Sequence, residues 1–212
     1  VGVFLFTSSG ADATVSVEHV RFDSCRDGSL SIDGTINEGL VRNNLFIDGI
    51  ALGGADLLAR SNSGPIRITN NTLRGVTITI VSGTVVSGLG DGQISFSNNL
   101  IAETVLPAGA AELLGENLSG RNNRLLSQNG ANGGNPILLN SITANPGFLN
   151  ASNARLAANS PMRDAGYSIA VGGVGDSDLD GSARVQGAAV DIGAFELAPT
   201  ALLVDGFEAQ AP

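Results

Sequence analysis

The chain has 212 residues and a formal net charge of −9, and all 11 of its basic residues are arginine. This acidic balance argues against a nucleic-acid-binding protein, because contact with the phosphate backbone needs basic stripes. The absence of lysine excludes a Schiff-base or P-loop lysine mechanism. One Cys and one His cannot form an internal disulfide or a Cys/His metal cluster, and no apolar run approaches the roughly 18 residues of a membrane span.

Residues 1–14 contain the apolar run VGVFLF followed by Ser, Gly and Asp, which predicts a strand and its turn. After them, a pattern of alternating apolar and polar residues recurs around one polar residue, which we call the anchor, in steps of 24, 27, 28 and 24 residues. The five anchors are His19, Asn43, Asn70, Asn98 and Asn122. Three positions after each anchor stand the apolar residues Phe22, Phe46, Leu73, Ile101 and Leu125. This common register predicts that the five form one interior column.

A sequence period of about 20 to 50 residues indicates stacked units that complete one another's core. The period-2 alternation and the lack of long helical patterns predict short strands with tight corners. Asparagine suits such corners because it tolerates the left-handed backbone region, and stacked asparagines can form ladders. The predicted fold is all-β: a right-handed single-stranded parallel β-helix, a solenoid, with coils over residues 1–143. Because the chain begins at Val1 without a methionine, we expect coils to precede it.

The unit around Asn70 reads IRITNNTL. It resembles the parallel β-helix repeats of the pectate-lyase-like superfamily, and the resemblance covers roughly residues 15–140. The polygalacturonases of that superfamily carry paired aspartates, a Gly-His-Gly motif and an Arg-Ile-Lys motif, none of which occurs in this chain. His19 occupies an anchor position, so we favour a corner or ladder role for it over that of a general base.

A lyase of the superfamily would need a basic residue near carboxylate-bound Ca²⁺. Arg42 and Arg67 lie close to anchors in neighbouring coils, and Asp23 and Asp48 lie on nearby turns. Such groupings arise readily without a motif, so we interpret these four residues as ordinary solvated side chains.

Four motifs follow the coils in order: NPGF at 145–148, NSPMRDAG at 159–166, DSDLDGSARVQG at 176–187 and VDIGAFE at 190–196. They closely resemble the C-terminal region of bacterial choice-of-anchor Q domain proteins. The resemblance implies that residues 144–197 cap the β-helix, whose end would otherwise offer unpaired strand edges. Residues 198–212 are similar to the short Asp-Gly-Phe-Glu tails of exported gammaproteobacterial proteins, and we expect a disordered terminus.

Asp176, Asp178 and Asp180, followed by Gly181, match the first half of an EF-hand-like calcium loop. The second half does not match, because Gly187 stands where the bidentate Glu should be. Two interpretations stay open: a structural Ca²⁺ site formed by the three aspartates, or a hydrogen-bonded Asx turn in which Asp180 pairs with Arg184. We favour the turn.

These observations predict a monomeric bacterial protein, secreted or at the cell surface, with a structural or adhesive role and no catalytic centre in this chain. The expected partner is a polysaccharide or cell-surface glycan, and neither nucleic acid nor a membrane span is expected. The alternative is the C-terminal part of a polysaccharide lyase or glycoside hydrolase whose active coils lie upstream.

Overall fold

The structure is a computed structural model. It describes residues 3–7, 13–25, 29–34, 37–48, 57–61, 64–76, 78–82, 94–102, 111–114, 118–125, 137–150 and 152–199. The predicted disordered tail lies outside these ranges from residue 200 onward.

The described residues form strands, turns and bends, and no helix occurs among them. In chain order the strands are β1 (Val3–Thr7), β2 (Thr14–Glu18), β3 (Arg21–Asp23), β4 (Leu30–Gly34), β5 (Glu38–Arg42), β6 (Leu45–Ile47), β7 (Leu57–Ser61), β8 (Ile66–Thr69), β9 (Thr72–Arg74), β10 (Ile78–Ser82), β11 (Ile94–Ser97), β12 (Leu100–Ala102), β13 (Ala111–Leu114), β14 (Leu118–Arg121), β15 (Ile137–Leu139), β16 (Phe148–Asn150) and β17 (Asn153–Leu156). This confirms the all-β prediction. Across the described ranges, no helix has the length and apolar character needed to cross a membrane.

Fifteen of these strands form three parallel sheets, and β16 and β17 form a separate antiparallel pair. Sheet 1 has the order β1-β4-β7-β10-β13, sheet 2 the order β2-β5-β8-β11-β14-β15 and sheet 3 the order β3-β6-β9-β12. The chain passes through sheets 1, 2 and 3 in turn, and we call each passage a circuit. On every return the new strand pairs with its predecessor in that sheet, so Phe22 lies beside Phe46 and Leu73 beside Ile101.

Inward-pointing side chains of all three sheets form one apolar cluster. The predicted column belongs to it, since Phe22, Phe46, Leu73, Ile101 and Leu125 are all buried there. The rings of Phe22 and Phe46 are stacked with their centroids 4.7 Å apart. Burial of each such side chain contributes about 1.5–3 kcal/mol relative to exposure. The column prediction is therefore confirmed.

The five anchors all take the left-handed backbone conformation, with φ between 54° and 57°. This confirms the corner role, including that of His19. Most of the ladder is formed by the residue after the anchor, in the four circuits where that residue is asparagine, and one further bond joins two anchors, from Asn98 Nδ2 to Asn70 Oδ1 at 3.3 Å. In its middle, Asn71 Oδ1 accepts hydrogen bonds from the backbone N–H of Asn44 at 3.0 Å and from Asn44 Nδ2 at 2.9 Å, while Asn71 Nδ2 donates to Asn99 Oδ1 at 2.9 Å. The corner role thus belongs to the anchor, and the ladder role falls mainly on the residue after it.

Part of a sixth circuit follows Asn122, with its corner only 18 residues further on, and its described strand lies in sheet 2. Asn140 has φ 51° like the anchors, and the N–H of Asn122 donates to the carbonyl of Leu139 at 2.9 Å. The strand β15 pairs with β14 in sheet 2. The repeat in the sequence does not reveal this circuit, because the spacing from Asn122 to Asn140 is shorter than the spacings between the five anchors.

Residues 144–199, which we call the C-terminal segment, lie along the side of the stacked strands. Leu45 and Ile47 of sheet 3 pack against Ala154, Ala194 and Phe195 of the segment. In the next apolar cluster along, the segment contributes Leu156, Met162 and Ile192, which pack against Leu100 and Ala102 of sheet 3. The apolar outer face of sheet 3 is covered in this way.

Side chains of the anchors hold the backbone of the same segment. The side-chain bonds to its carbonyl oxygens are Asn43 to Ser177 at 2.9 Å, Asn70 to Asp191 at 3.2 Å, Asn98 to Tyr167 at 3.0 Å and Asn122 to Ala165 at 2.8 Å. We expected residues 144–197 at the end of the stack, whereas these contacts run along its side, because both the anchors and the apolar face of sheet 3 point there. The capping role itself stays a prediction.

Candidate functional site

A groove of about 340 Å³ lies on the outer face of sheet 2, beside the C-terminal segment. Its floor carries the hydroxyl groups of Ser95, Ser97 and Ser119. Strand alternation places them there: Ile94 and Phe96 point into the core, so the serines between and after them point outward. Ser119 pairs with Ser95 in the neighbouring strand. Ser97 is only 3% exposed and its Oγ already accepts from the N–H of Arg121 at 3.3 Å, so Ser95 and Ser119 carry the floor hydroxyl groups that can both donate to and accept from a ligand.

Gly120 lets the floor form, because β14 comes very close to the preceding strand at this point. A Cβ atom at Gly120 would lie 1.7 Å from the carbonyl oxygen of Phe96. In the sequence this glycine only interrupts the apolar pattern, whereas the structure shows that no larger residue fits there.

Arg121 and Tyr167 form one wall of the groove. The guanidinium carbon of Arg121 lies 4.4 Å from the centroid of the Tyr167 ring, which is a cation–π arrangement. Two hydrogen bonds fix Tyr167: its N–H donates to Asn98 Oδ1 at 2.7 Å, and Asn98 Nδ2 donates to its carbonyl at 3.0 Å. Within the described part of the chain, Arg121 has no carboxylate partner. Its N–H groups are therefore available to a ligand.

The rim of the groove is aliphatic. Leu139 is 49% exposed, Ile169 78% and Val171 60%. Three large aliphatic side chains exposed around one concavity are a feature of binding surfaces more than of ordinary protein surface. The site thus combines a polar floor, a cationic wall and an apolar rim.

The two arginines considered for a lyase hold the loop next to this groove. Arg42 pairs with Glu18 at 2.5 Å, and its Nη1 donates to the carbonyl of Gly172 at 3.2 Å. Arg67 pairs with Glu38, and a Cβ atom at Gly172 would lie 2.5 Å from Arg67 Cδ. The Arg42 guanidinium and the aliphatic part of the Arg67 side chain therefore position the loop that carries Ile169 and Val171 of the rim.

The two aspartates considered with them lie elsewhere. Asp23 pairs with Arg21 at 2.7 Å, and Asp48 occupies a corner with φ 50°. The interpretation of these residues as ordinary solvated side chains holds for Asp23 and Asp48, which are exposed, whereas Arg42 and Arg67 are partly buried in ion pairs beside the C-terminal segment.

His19 lies at the first corner, where its Nε2 is 3.1 Å from the carbonyl oxygen of Ser177 and 3.3 Å from Ser177 Oγ. It therefore contacts the C-terminal segment as the anchor asparagines do. No carboxylate hydrogen-bonds to its ring in the described residues, so the orienting partner of a Ser-His-Asp arrangement is not seen there.

Of the three aspartates predicted as Ca²⁺ ligands, Asp178 is fully buried and its oxygens are already engaged. Its Oδ1 accepts from the N–H of Asp180 at 2.9 Å and of Ser182 at 2.8 Å, and its Oδ2 accepts from the N–H of Glu196 at 2.9 Å. This is an Asx turn, and Gly181 at φ +82° completes the bend.

Asp176 and Asp180 face solvent, and Asp180 pairs with Arg155 at 2.5 Å. The predicted pairing of Asp180 with Arg184 is therefore wrong, because Arg184 is buried away from it. The three carboxylates do not converge, and the described residues contain no group of three or more His, Cys, Asp or Glu side chains placed to hold a metal ion.

A buried charge cluster in the C-terminal segment was not predicted from the sequence. The side chains of Arg184 and Glu196 are each 1% exposed, with Nε and Oε2 3.5 Å apart. Arg184 Nη2 donates to the carbonyls of Asp191 at 3.0 Å and Gly193 at 2.5 Å. Burial raises the pKa of Glu196 to about 7, against the opposing effect of Arg184, and burial also raises the pKa of Asp191. The spacing of these residues in the sequence follows no repeat or motif, so the sequence did not indicate a buried charge cluster.

No family model, curated protein or solved structure matches this chain. A function must therefore be inferred from the geometry of the groove and of the stack around it.

Proposed function

We propose that the chain forms a right-handed single-stranded parallel β-helix within a secreted or cell-surface bacterial protein. Its role is structural or adhesive, and it binds carbohydrate in the groove on sheet 2. The ordered passage through three parallel sheets, the interior column and the asparagine ladder support the β-helix. The motifs after residue 144, which resemble choice-of-anchor Q domain proteins, favour the cell-surface setting.

The composition of the groove is the observation that carries the carbohydrate proposal. A sugar presents hydroxyl groups at its edge and C–H groups on its faces. The serine hydroxyls and the Arg121 guanidinium can hydrogen-bond the former, and the aliphatic rim can cover the latter. An apolar surface with a few converging polar groups is the usual composition of a small-ligand site.

A glycan array probed with the full chain, followed by calorimetry on the glycans it retains, tests this function. Ser95→Trp would fill the floor of the groove, and we expect it to weaken binding at least tenfold, roughly the loss of one or two good contacts. Thr14→Trp is the matched control, because Thr14 is exposed on β2, outside the groove. The proposal fails if no glycan is retained, or if Ser95→Trp binds as tightly as the parent.

A further inference from the structure

Among the described residues that line the groove, Tyr167 carries the only aromatic ring, and one face of that ring is covered. Arg121 lies over Tyr167, with 4.4 Å between the guanidinium carbon and the ring centroid. Carbohydrate sites often rely on an open aromatic face for contact with a sugar ring, and here that face already carries a cation. Most of the apolar surface open to a ligand is therefore that of the aliphatic side chains.

Those side chains lie around the same groove as the guanidinium. Ile169 and Val171 are 78% and 60% exposed, which is unusual for large aliphatic residues unless something covers them. Arg121 offers N–H donors that no carboxylate of the described residues takes up. A ligand that covers the aliphatic side chains and also accepts a hydrogen bond from Arg121 needs a small apolar group next to a hydrogen-bond acceptor.

We propose that the groove recognises acetylated saccharides. An acetyl group supplies a methyl group for the aliphatic rim and a carbonyl oxygen that accepts a hydrogen bond from Arg121, while the sugar hydroxyls contact the serine floor. This inference rests on the proposed carbohydrate binding and names the class of saccharide. N-acetyl and O-acetyl groups both carry this methyl group and this carbonyl oxygen.

Other saccharides fit less well for a physical reason. An uncharged sugar without acyl groups bonds to the serines, but its C–H groups cover Ile169 and Val171 less completely than an added methyl group does. A uronate pairs its carboxylate with Arg121, yet brings a strongly hydrated group against the aliphatic rim, where its desolvation is costly. The acetyl group is the substituent that uses both features at once.

Calorimetry with matched oligosaccharides tests the inference on the full chain. One series compares tetrasaccharides of N-acetylglucosamine and of glucose, a second compares an O-acetylated xylan oligosaccharide with its deacetylated form, and an oligouronate is added to both. We expect each acetylated ligand to bind at least about tenfold tighter than its partner, the discrimination that one small apolar group provides in a fitted site.

Substitutions in the groove test whether the preference for acetylated ligands arises there. Ile169→Ser and Val171→Ser should reduce the ratio between acetylated and unacetylated ligands, because they should weaken the acetylated ligand more than its unacetylated partner. Arg121→Ala should reduce it as well, and Arg21→Ala, an exposed arginine paired with Asp23 on β3, is the control. Thermal melts of each variant confirm folding, and the two rim variants lie at exposed positions that do not endanger it.

The outcomes separate this inference from the function on which it rests. Equal affinity for acetylated and plain sugars, tightest binding of the uronate, or a preference that survives all three groove variants would each refute acetyl recognition and leave carbohydrate binding intact. If no saccharide binds, the proposed function fails and this inference fails with it.

Discussion

At the scale of single residues, the buried charges of the C-terminal segment stand out. Arg184 faces Glu196, with Asp191 and Asp178 nearby, so three carboxyl groups surround one guanidinium. Backbone N–H groups compensate part of this negative charge, since Asp191 Oδ2 accepts from Leu197 at 2.8 Å. A buried group that cannot be fully compensated shifts its pKa toward the neutral form. Glu196 does so.

The raised pKa of Glu196 predicts that stability falls as pH rises from about 4.5 to about 7. In that window the folded protein keeps a proton that the unfolded chain has lost, so the free energy of unfolding decreases with pH. The loss should be on the order of 2 kcal/mol after allowance for solvent screening. Urea unfolding between pH 5 and 8 measures it, and Glu196→Gln should flatten the profile.

Asp176→Asn is the control for this measurement, because Asp176 is an exposed carboxylate of the same segment. Its profile should follow that of the parent. A Glu196→Gln profile as steep as the parent's would show that Glu196 does not titrate in this window.

At the scale of elements, the ladder residues stabilise each corner between sheets 2 and 3. Asn71 is fully buried, and its Nδ2 also donates to the carbonyl of Val41 at 2.9 Å. Every polar atom of this side chain therefore has a protein partner, and the partners depend on it in turn. Buried polar groups that are all satisfied specify one register for the strands.

Asn71→Ala should destabilise the protein by about 3 kcal/mol, because it leaves buried donors of Asn44 without an acceptor and removes the bond to Asn99. For a chain of this length that corresponds to a fall in Tm of roughly 6–12 °C. Asn150→Ala is the control, since Asn150 is exposed and caps only its own turn. Equal melting points for the two variants would contradict a stabilising ladder.

The periodic elements were predictable from the sequence because each circuit repeats the same physical demand. Strand alternation, the interior column of Phe46 and its equivalents, and the corner role of Asn70 all follow from the register. The sequence could not show that Asn70 forms the corner and Asn71 most of the ladder. Asparagine suits both roles, and only the backbone conformation distinguishes the two residues.

The groove could not be predicted, because its walls come from parts of the chain far apart in sequence. Ser95 and Tyr167 share it only because the C-terminal segment lies along the stack, and that path depends on many individually weak contacts. The calcium interpretation of Asp178 illustrates the same limit. A carboxylate that binds a cation and one that accepts backbone N–H groups have the same local sequence, and the choice depends on distant Glu196.

At the scale of the whole molecule, the stack and the C-terminal segment form the candidate site jointly. Sheet 2 supplies the serine floor, Arg121 and Leu139 of the rim, and the segment supplies Tyr167, Ile169 and Val171. Asn98 links the two directly, with one hydrogen bond to the N–H and one to the carbonyl of Tyr167. Docking of the segment is therefore a precondition for the complete groove.

Asn98→Gly should loosen this part of the segment and weaken ligand binding without unfolding the stack. Glycine accepts the left-handed conformation of Asn98, so the substitution removes the two bonds to Tyr167 and the bond to Asn70 Oδ1 without straining the backbone. Asn140→Gly is the matched control, since Asn140 has the same backbone conformation and an exposed side chain. In hydrogen exchange we expect faster exchange at residues 163–171 in Asn98→Gly alone, because local opening needs less free energy once two bonds are lost. Glycan affinity should fall in the same variant. Unchanged exchange with unchanged affinity would mean that the segment is held by its apolar contacts with sheet 3, and that the anchor asparagines serve the corners only.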